Sequence, residues 1–183
     1  DNYTAPTSGN APLARLIADH AGFMWWADTI ESGTVYRYRL RFSHYLQPEN
    51  WANADYFDIE PDDRTDRITA LVPFKNVLLV FKQKAVFAVY GTSRDDFTVE
   101  RVAASSGAVS QEAVSASAGV VYWWSADGNV FAYNGRGVLP IGNQVMIDLV
   151  RDGTIRPNAD HRVCWAENRL YVSVVYPDGT TRY

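Results

Sequence analysis

One pattern recurs along this chain and limits what it can fold into. Each unit has a tight turn, a nearly continuous apolar run, a hairpin turn and a second apolar run. Four turn residues open the units at intervals of roughly 40 to 55 residues: Gly22, Asn76, Gly119 and Asn168. Helical periodicity is scarce, although residues 13–18 allow a short helix or a strand and residues 146–151 allow a helical turn. The sequence therefore predicts an all-β chain.

Repeats of this length, each long enough for about four short strands, are typical of a β-propeller. Strands inside stacked blades are buried on both faces and lose their polar alternation, as residues 77–81 and 120–124 do. We predict that residues 1–183 form one region of about four antiparallel, four-stranded blades, as a partial or complete propeller. A β-sandwich is the alternative. Because the chain begins at Asp1 and stops just after a turn signal, we expect a fragment of a longer protein.

The charge balance argues against a protein whose main task is to grip nucleic acid. The formal net charge is −4 and the pI is about 5.3, whereas phosphate neutralisation by basic residues supplies most non-specific affinity for nucleic acid. The single Cys164 excludes an internal disulfide and a multi-cysteine zinc site. No apolar run approaches the ~20 residues that cross a bilayer, so we expect no membrane span.

Three arginines alternate with apolar residues in the segment YRYRLRF, residues 36–42. Side chains on one face of a strand repeat every ~6.6 Å, which is close to the phosphate spacing of a nucleic-acid strand. The row is equally compatible with the solvated face of an ordinary strand. If the later strand with Asp58 and Glu60 pairs with it, we expect these acids to neutralise the arginines, at ~0.2–1 kcal/mol for each pair. The candidate surface contacts in this row are Arg37, Arg39 and Arg41.

Signatures of catalysis and metal binding are weak. The acidic segment 58–66 offers the oxygen ligands that calcium prefers, but Arg64 and Arg67 lie among the acids and the Asp-x-Asp-x-Asp-Gly spacing is missing. A Gly-x-Ser-x-Gly elbow and a phosphate-binding Gly-Lys-Ser/Thr loop are also missing. No ligand companion at helical or turn spacing accompanies the three histidines, His20, His44 and His161. We predict no catalytic residue, no cofactor and no metal, and keep a propeller hydrolase as a secondary alternative.

Residues 125–131 contain a Ser, an Asp, a Gly and a terminal aromatic residue, in an order that resembles the Asp-box of sialidase-type propellers. Gly128 follows the aspartate directly, one place earlier than in that motif. Since such boxes are structural turns, we expect a hairpin here and no chemistry.

Several short motifs follow one another in a specific order. They are a strand that ends at Ser43, the turn Pro48-Glu49-Asn50-Trp51, the strand Ile68-Thr69-Ala70-Leu71 and the strand Leu78-Leu79-Val80-Phe81-Lys82. The segments 86–91 and 125–135 complete the series. This order resembles tail proteins of tailed bacteriophages that build propeller domains, including the tail-nozzle and head-closure proteins of short-tailed phages.

The resemblance implies a structural component of a phage tail located in the virion, such as a nozzle-like wall around or beside the DNA exit channel. It implies a ring of about six copies, neighbouring tail or head–tail connector proteins as partners, and at most a passing contact with DNA. The competing class is a soluble or cell-surface propeller that binds a glycan or a protein. Its loops would use tryptophans, for which core packing is the structural alternative: Trp25, Trp26 and Trp51.

Overall fold

The computed structural model describes residues 13–63, 65–117, 119–156 and 161–182. The first sheet contains β1 (Leu13–His20), β2 (Phe23–Glu31), β3 (Thr34–Phe42) and β4 (Tyr56–Asp58). The second contains β5 (Ile68–Phe74), β6 (Val77–Lys82), β7 (Val86–Tyr90) and β8 (Thr98–Ala103). The third contains β9 (Val114–Ala116), β10 (Val121–Trp124), β11 (Val130–Tyr133) and β12 (Val138–Pro140). Helix α1 (Gln144–Arg151) precedes the fourth, which contains β13 (Arg162–Ala166), β14 (Arg169–Val175) and β15 (Thr181–Arg182).

Each sheet is an antiparallel meander in which strands that are neighbours in sequence are neighbours in the sheet. The first strands of successive sheets contact one another, β1 with β5, β5 with β9 and β9 with β13. The four sheets are therefore blades, numbered 1 to 4 along the chain, with their first strands innermost. This arrangement confirms the predicted all-β propeller and differs from the two packed layers of the sandwich alternative.

The four predicted turn residues all lie in the first hairpin of a blade. In blade 1, Ala21 and Gly22 have φ values of 55° and 79°, and in blade 4, Glu167 and Asn168 have φ values of 49° and 59°. Two central residues with positive φ make a hairpin turn whose twist matches that of the flanking strands. The sequence repeat therefore follows the blades because each unit begins with this hairpin.

Hydrophobic clusters fill the spaces between successive blades. Alternate side chains of the apolar strand β6 belong to two different clusters. Leu78 and Val80 belong to the cluster between blades 1 and 2, and Leu79 and Phe81 belong to the cluster between blades 2 and 3. This explains why β6 has no polar alternation. The largest side chains in the clusters are fully buried tryptophans, and they are Trp25, Trp123 and Trp124.

Two shorter segments take definite forms. Residues 13–18, for which a helix or a strand was expected, lie in strand β1. The predicted helical turn at 146–151 is part of α1, whose N-cap Asn143 accepts a hydrogen bond from the backbone N–H of Met146 at 3.2 Å. No helix in the described part of the chain is long and apolar enough to cross a membrane.

Candidate functional site

The predicted pairing of the arginine strand with the acidic strand is confirmed, since β3 pairs with β4 and places Arg39 opposite Asp58. The Nε and Nη2 groups of Arg39 donate to the two carboxylate oxygens of Asp58 at 2.8 and 3.0 Å. A second carboxylate, Glu31 at the end of β2, accepts two hydrogen bonds of 2.8 Å from Arg41 and one of 3.2 Å from Arg39. Two-pronged pairs of this kind are among the stronger hydrogen bonds in proteins.

Both arginines of this network are enclosed by blade 1. Arg39 is 9% exposed and Arg41 is 5% exposed, and the guanidinium of Arg39 lies 3.8 Å from the ring centroids of both Tyr36 and Tyr56. Burial would raise the pKa of Glu31, but hydrogen bonds from Arg41 and Thr29 outweigh burial and hold that pKa below its usual value. These guanidinium groups are thus committed to internal partners, and their role as contacts for another molecule stays a prediction.

Arg37 lies apart from the other two arginines because the sheet is irregular at Asp28. Asp28 has a φ of 52°, and the register between β2 and β3 shifts there, so that residues 37–39 lie opposite this single residue. The bulge changes the alternation of β3. Arg37 consequently lines a cavity of about 210 Å³ with Asp28, Arg15 and Arg67. The prediction that the three arginines form one row is wrong at Arg37.

Asp28 is buried within this second group of arginines. Burial raises the pKa of its carboxyl group, and the positive charges of Arg15, Arg67 and Arg37 act in the opposite direction. The Nε atom of Arg15 is 3.6 Å from the Asp28 carboxylate. Three cations share one carboxylate, and Arg37 is exposed, so Arg37 is the accessible member of the predicted row.

The tryptophans proposed as loop contacts are mainly packing residues. Trp51 is 6% exposed and its ring lies edge-on to that of Trp26, with centroids 5.7 Å apart. Trp25 is fully buried in the cluster between blades 1 and 2, and Trp26 is half-buried. Core packing, the structural alternative, is found for Trp25 and Trp51. A contact role for Trp51 would require its indole to leave this position.

Carboxylates in the acidic segment hold the loop itself. Asp63 accepts hydrogen bonds from the hydroxyl and N–H of Thr65 at 2.6 and 3.1 Å and from the Nζ of Lys84 at 3.2 Å, and together these lower its pKa to about 2. Asp66 accepts two backbone N–H groups and lies 3.8 Å from the Nζ of Lys82. Arg64 lies outside the described residues. In the ranges that the structure covers, no three His, Cys, Asp or Glu side chains converge as a metal site would require.

The segment that resembles an Asp-box is the hairpin between β10 and β11, as expected. Gly128 has a φ of 84°, and the N–H of Ser125 donates to the carbonyl oxygen of Asn129 at 2.9 Å. Asp127 contacts the hydroxyl of Ser125 and accepts the N–H of Asn129 at 3.3 Å. All of these contacts close the turn.

Comparisons with known proteins bear on the fold. No family model and no curated protein matches this chain. The chain is similar to the crystal structure of the computationally designed Ika4 protein, with a TM-score of 0.55 and 14% sequence identity. The alignment covers 95% of this chain and 91% of that chain. At this identity the similarity concerns the fold alone, and it extends over all four blades.

Proposed function

We propose that this chain is a structural component of a bacteriophage tail, a nozzle-like propeller protein that forms part of the DNA exit channel or the tail tip. The proposal begins with the order of motifs that resembles phage tail proteins. The observation that supports it further is the position of two of those motifs at the contacts between blades. The polar side chains of Lys82 and Thr69 each connect blade 2 to a neighbouring part of the chain, as a wall built of packed blades requires.

Lys82, the last residue of the Leu-Leu-Val-Phe-Lys motif, joins blades 1 and 2. Its side chain is fully buried, and its Nζ group donates to the carbonyl oxygens of Ile59 and Glu60 at 3.1 and 3.2 Å, just beyond β4. Burial lowers the pKa of Lys82, while the nearby Asp66 acts to raise it. A buried ammonium group is costly to desolvate unless it is well paired. The buried, hydrogen-bonded position of Lys82 therefore favours a structural role that holds blades 1 and 2 together over a role in contacting molecules from solvent.

The Ile-Thr-x-Leu motif joins blade 2 to the segment before blade 3. The Thr69 hydroxyl lies 2.8 Å from the carbonyl oxygen of Ala108 and donates to it. The side-chain amide of Gln111 accepts the N–H of Leu71 at 2.9 Å and donates to its carbonyl oxygen at 3.3 Å. These bonds connect residues 39 or 40 positions apart in sequence and hold the inner strand β5 against the segment before blade 3.

The charge arrangement supports a wall along which DNA can slide. The chain has a net charge of −4, and acidic partners already neutralise Arg39 and Arg41 within blade 1. A basic lining would hold phosphates and retard the movement of DNA. We propose that about six copies form a ring, in contact with neighbouring tail or connector proteins, and that Arg37 makes at most a passing contact with DNA.

Quantitative mass spectrometry of purified phage particles tests this function. We expect peptides of the chain to co-sediment with capsid and portal proteins, at roughly half the abundance of the portal subunit if the ring has about six copies. Peptides found only in the soluble or secreted fraction, and never in particles, would reject the tail function. That result would favour a binding module instead.

A further inference from the structure

A cavity of about 480 Å³ opens between the loop that follows β3 and the loop between β7 and β8. Its volume is within the range of small-molecule sites. Its aromatic floor consists of Phe23 and Tyr45, and polar side chains that include His44, Ser93, Arg94 and Asp95 surround it. None of these polar side chains takes part in the hydrogen bonds of Arg39 and Arg41 or in the contacts of Lys82, Thr69 and Gln111 between blades.

Tyr45 is exposed but held in a fixed orientation. The residue is 58% exposed, and its ring packs on Gly22 so closely that a Cβ at that position would lie 2.5 Å from the ring. The ring centroid is 5.5 Å from that of Phe23, and the N–H of Leu46 donates to the carbonyl oxygen of Gly22 at 2.8 Å. The turn of blade 1 therefore supports one side of an aromatic ring whose remaining surface faces solvent.

A buried carboxylate anchors the polar side of the cavity. Asp55 is fully buried and accepts the N–H of Ala52 at 3.0 Å. The Nη2 atom of Arg94 lies 2.5 Å from one Asp55 oxygen, and the Nε2 atom of His44 lies 3.4 Å from the other. The side chain of Arg94 is still 51% exposed. One end of the guanidinium is thus fixed, and the rest can donate hydrogen bonds into the cavity.

The loop between β7 and β8, which carries both Arg94 and Asp95, is held by hydrogen bonds within the loop itself. Asp96 accepts the backbone N–H groups of Thr92 and Ser93 at 3.0 and 2.7 Å. Asp95, next to it, is exposed and lines the cavity. The cavity therefore presents an acceptor at Asp95 and a donor at Arg94 from a defined loop, which limits the conformational entropy lost on binding.

We propose that this cavity binds a neutral pyranose unit of a glycan. The apolar C–H face of the sugar packs on Tyr45, and its hydroxyl groups, which both donate and accept, bind Arg94 and Asp95. Because Asp55 and Asp95 offset the charge of Arg94, the site has no excess of positive charge that would favour an anion. The inference is independent of the tail function, which the particle experiment tests separately.

Saturation-transfer NMR on the 183-residue chain tests the proposal, with the methyl pyranosides of glucose, galactose and mannose as probes. We expect saturation of the ring protons of at least one sugar. Tyr45→Ala should weaken that binding roughly tenfold, since an aromatic contact contributes up to about that factor. Asp95→Asn, at an exposed side chain, should weaken binding by about three- to tenfold without affecting the fold.

Two control variants separate binding from folding. Tyr45→Phe keeps the ring and should bind as the unmodified protein does, and Tyr171→Ala removes an exposed tyrosine of blade 4, which is 42% exposed, and should change nothing. The proposal is overturned if none of the three sugars receives saturation. It is also overturned if Tyr45→Ala and Asp95→Asn both bind normally, or if methyl glucuronide binds more tightly than all three neutral sugars.

Discussion

Glu31 is the carboxylate that Arg39 and Arg41 share. Its side chain is 17% exposed and that of Arg41 is 7% exposed. Removing one partner of an enclosed ion pair leaves the other charge without compensation, which typically destabilises a protein by 3–5 kcal/mol. Because solvent still reaches Glu31, we expect Glu31→Gln to lower the free energy of unfolding by about 2–3 kcal/mol, measured by urea denaturation.

The matched control for this change is Glu100→Gln, which alters an exposed side chain on the outer strand β8. We expect that variant to lie within about 0.5 kcal/mol of the unmodified protein. Equal stabilities for the two variants would mean that the network around Glu31 adds nothing to the fold. The arginine strand would then be an ordinary surface strand in energetic terms.

His20 gives the fold a dependence on pH. It is 9% exposed, and burial lowers its pKa below 6.5, while Asp19 and a hydrogen bond with the backbone of Asn76 act to raise it. Below about pH 6.5 the unfolded chain binds a proton at this position before the folded chain does, so the free energy of unfolding falls as the pH falls. Above that pH the imidazole is mostly neutral in both the folded and the unfolded chain, so His20 causes no loss of stability there.

We therefore expect the unmodified protein to lose more stability than His20→Gln when the pH is lowered from about 7.5 to 5.5. Urea denaturation at several pH values measures the difference between the two curves. Because the other two histidines are present in both proteins, their titration cancels in this comparison. Parallel curves would show that His20 titrates alike in the folded and unfolded chains.

At the scale of single residues, part of the network around Arg39 and Arg41 could be predicted from the sequence. Alternation placed Asp58 opposite the arginines, because two regular strands that pair must bring like faces together. Periodicity could not predict the separation of Arg37, since a bulge depends on the positive φ of Asp28 and has no signal in side-chain alternation. The role of Glu31 could not be predicted for the same reason. Along the paired strands, Glu31 and Arg41 lie on opposite sides of the bulge, and the Glu31 carboxylate reaches across it to both Arg39 and Arg41.

Hairpins are the elements that set the blade repeat, and the first of them also supports Tyr45. Gly22 and Gly33 have φ values of 79° and 83°, and both lie in tight turns of blade 1. A Cβ at Gly22 would lie 2.5 Å from the Tyr45 ring, whereas a Cβ at Gly33 would have no heavy atom within 4 Å. The two positions share the backbone penalty for a left-handed residue and differ in the side-chain contact.

We expect Gly33→Ala to lower the free energy of unfolding by about 1 kcal/mol, because alanine disfavours a positive φ. Gly22→Ala should lower it by a further 1–2 kcal/mol or so, since the tyrosine ring must move. Thermal or urea unfolding of both variants gives the difference. Equal losses would indicate that Tyr45 is displaced without resistance and does not form the rigid surface assigned to it.

The whole molecule is organised by strands that belong to two interfaces at once. The continuous apolar runs predicted such strands, because a strand buried on both faces has no polar side to show. The sequence could not say which side chain faces which blade, since that depends on the stacking of the sheets. In β6 the blade that a side chain faces alternates along the strand, since Leu78 faces blade 1 and Leu79 faces blade 3.

This shared strand bears on whether the blades unfold together or one at a time. In arrays of repeats where each unit contacts only its neighbours, stability can be local. Leu79 is fully buried in the cluster that also contains Trp123 of blade 3, and Trp124 beside it belongs to the cluster between blades 3 and 4. Because consecutive residues connect consecutive clusters, a defect at Leu79 should affect the remote blades as well.

We therefore expect Leu79→Ala to lower the free energy of unfolding by about 3 kcal/mol, as a cavity in a packed core does. The control Ile17→Ala, at a residue that is 63% exposed, should change it by less than about 0.5 kcal/mol. Hydrogen exchange followed by mass spectrometry should show equal losses of protection in peptides from β2 and β14, which are far from the substitution in sequence. If β14 keeps its original protection while β6 loses it, the blades unfold separately, and the four sheets are held together more weakly than their shared strands imply.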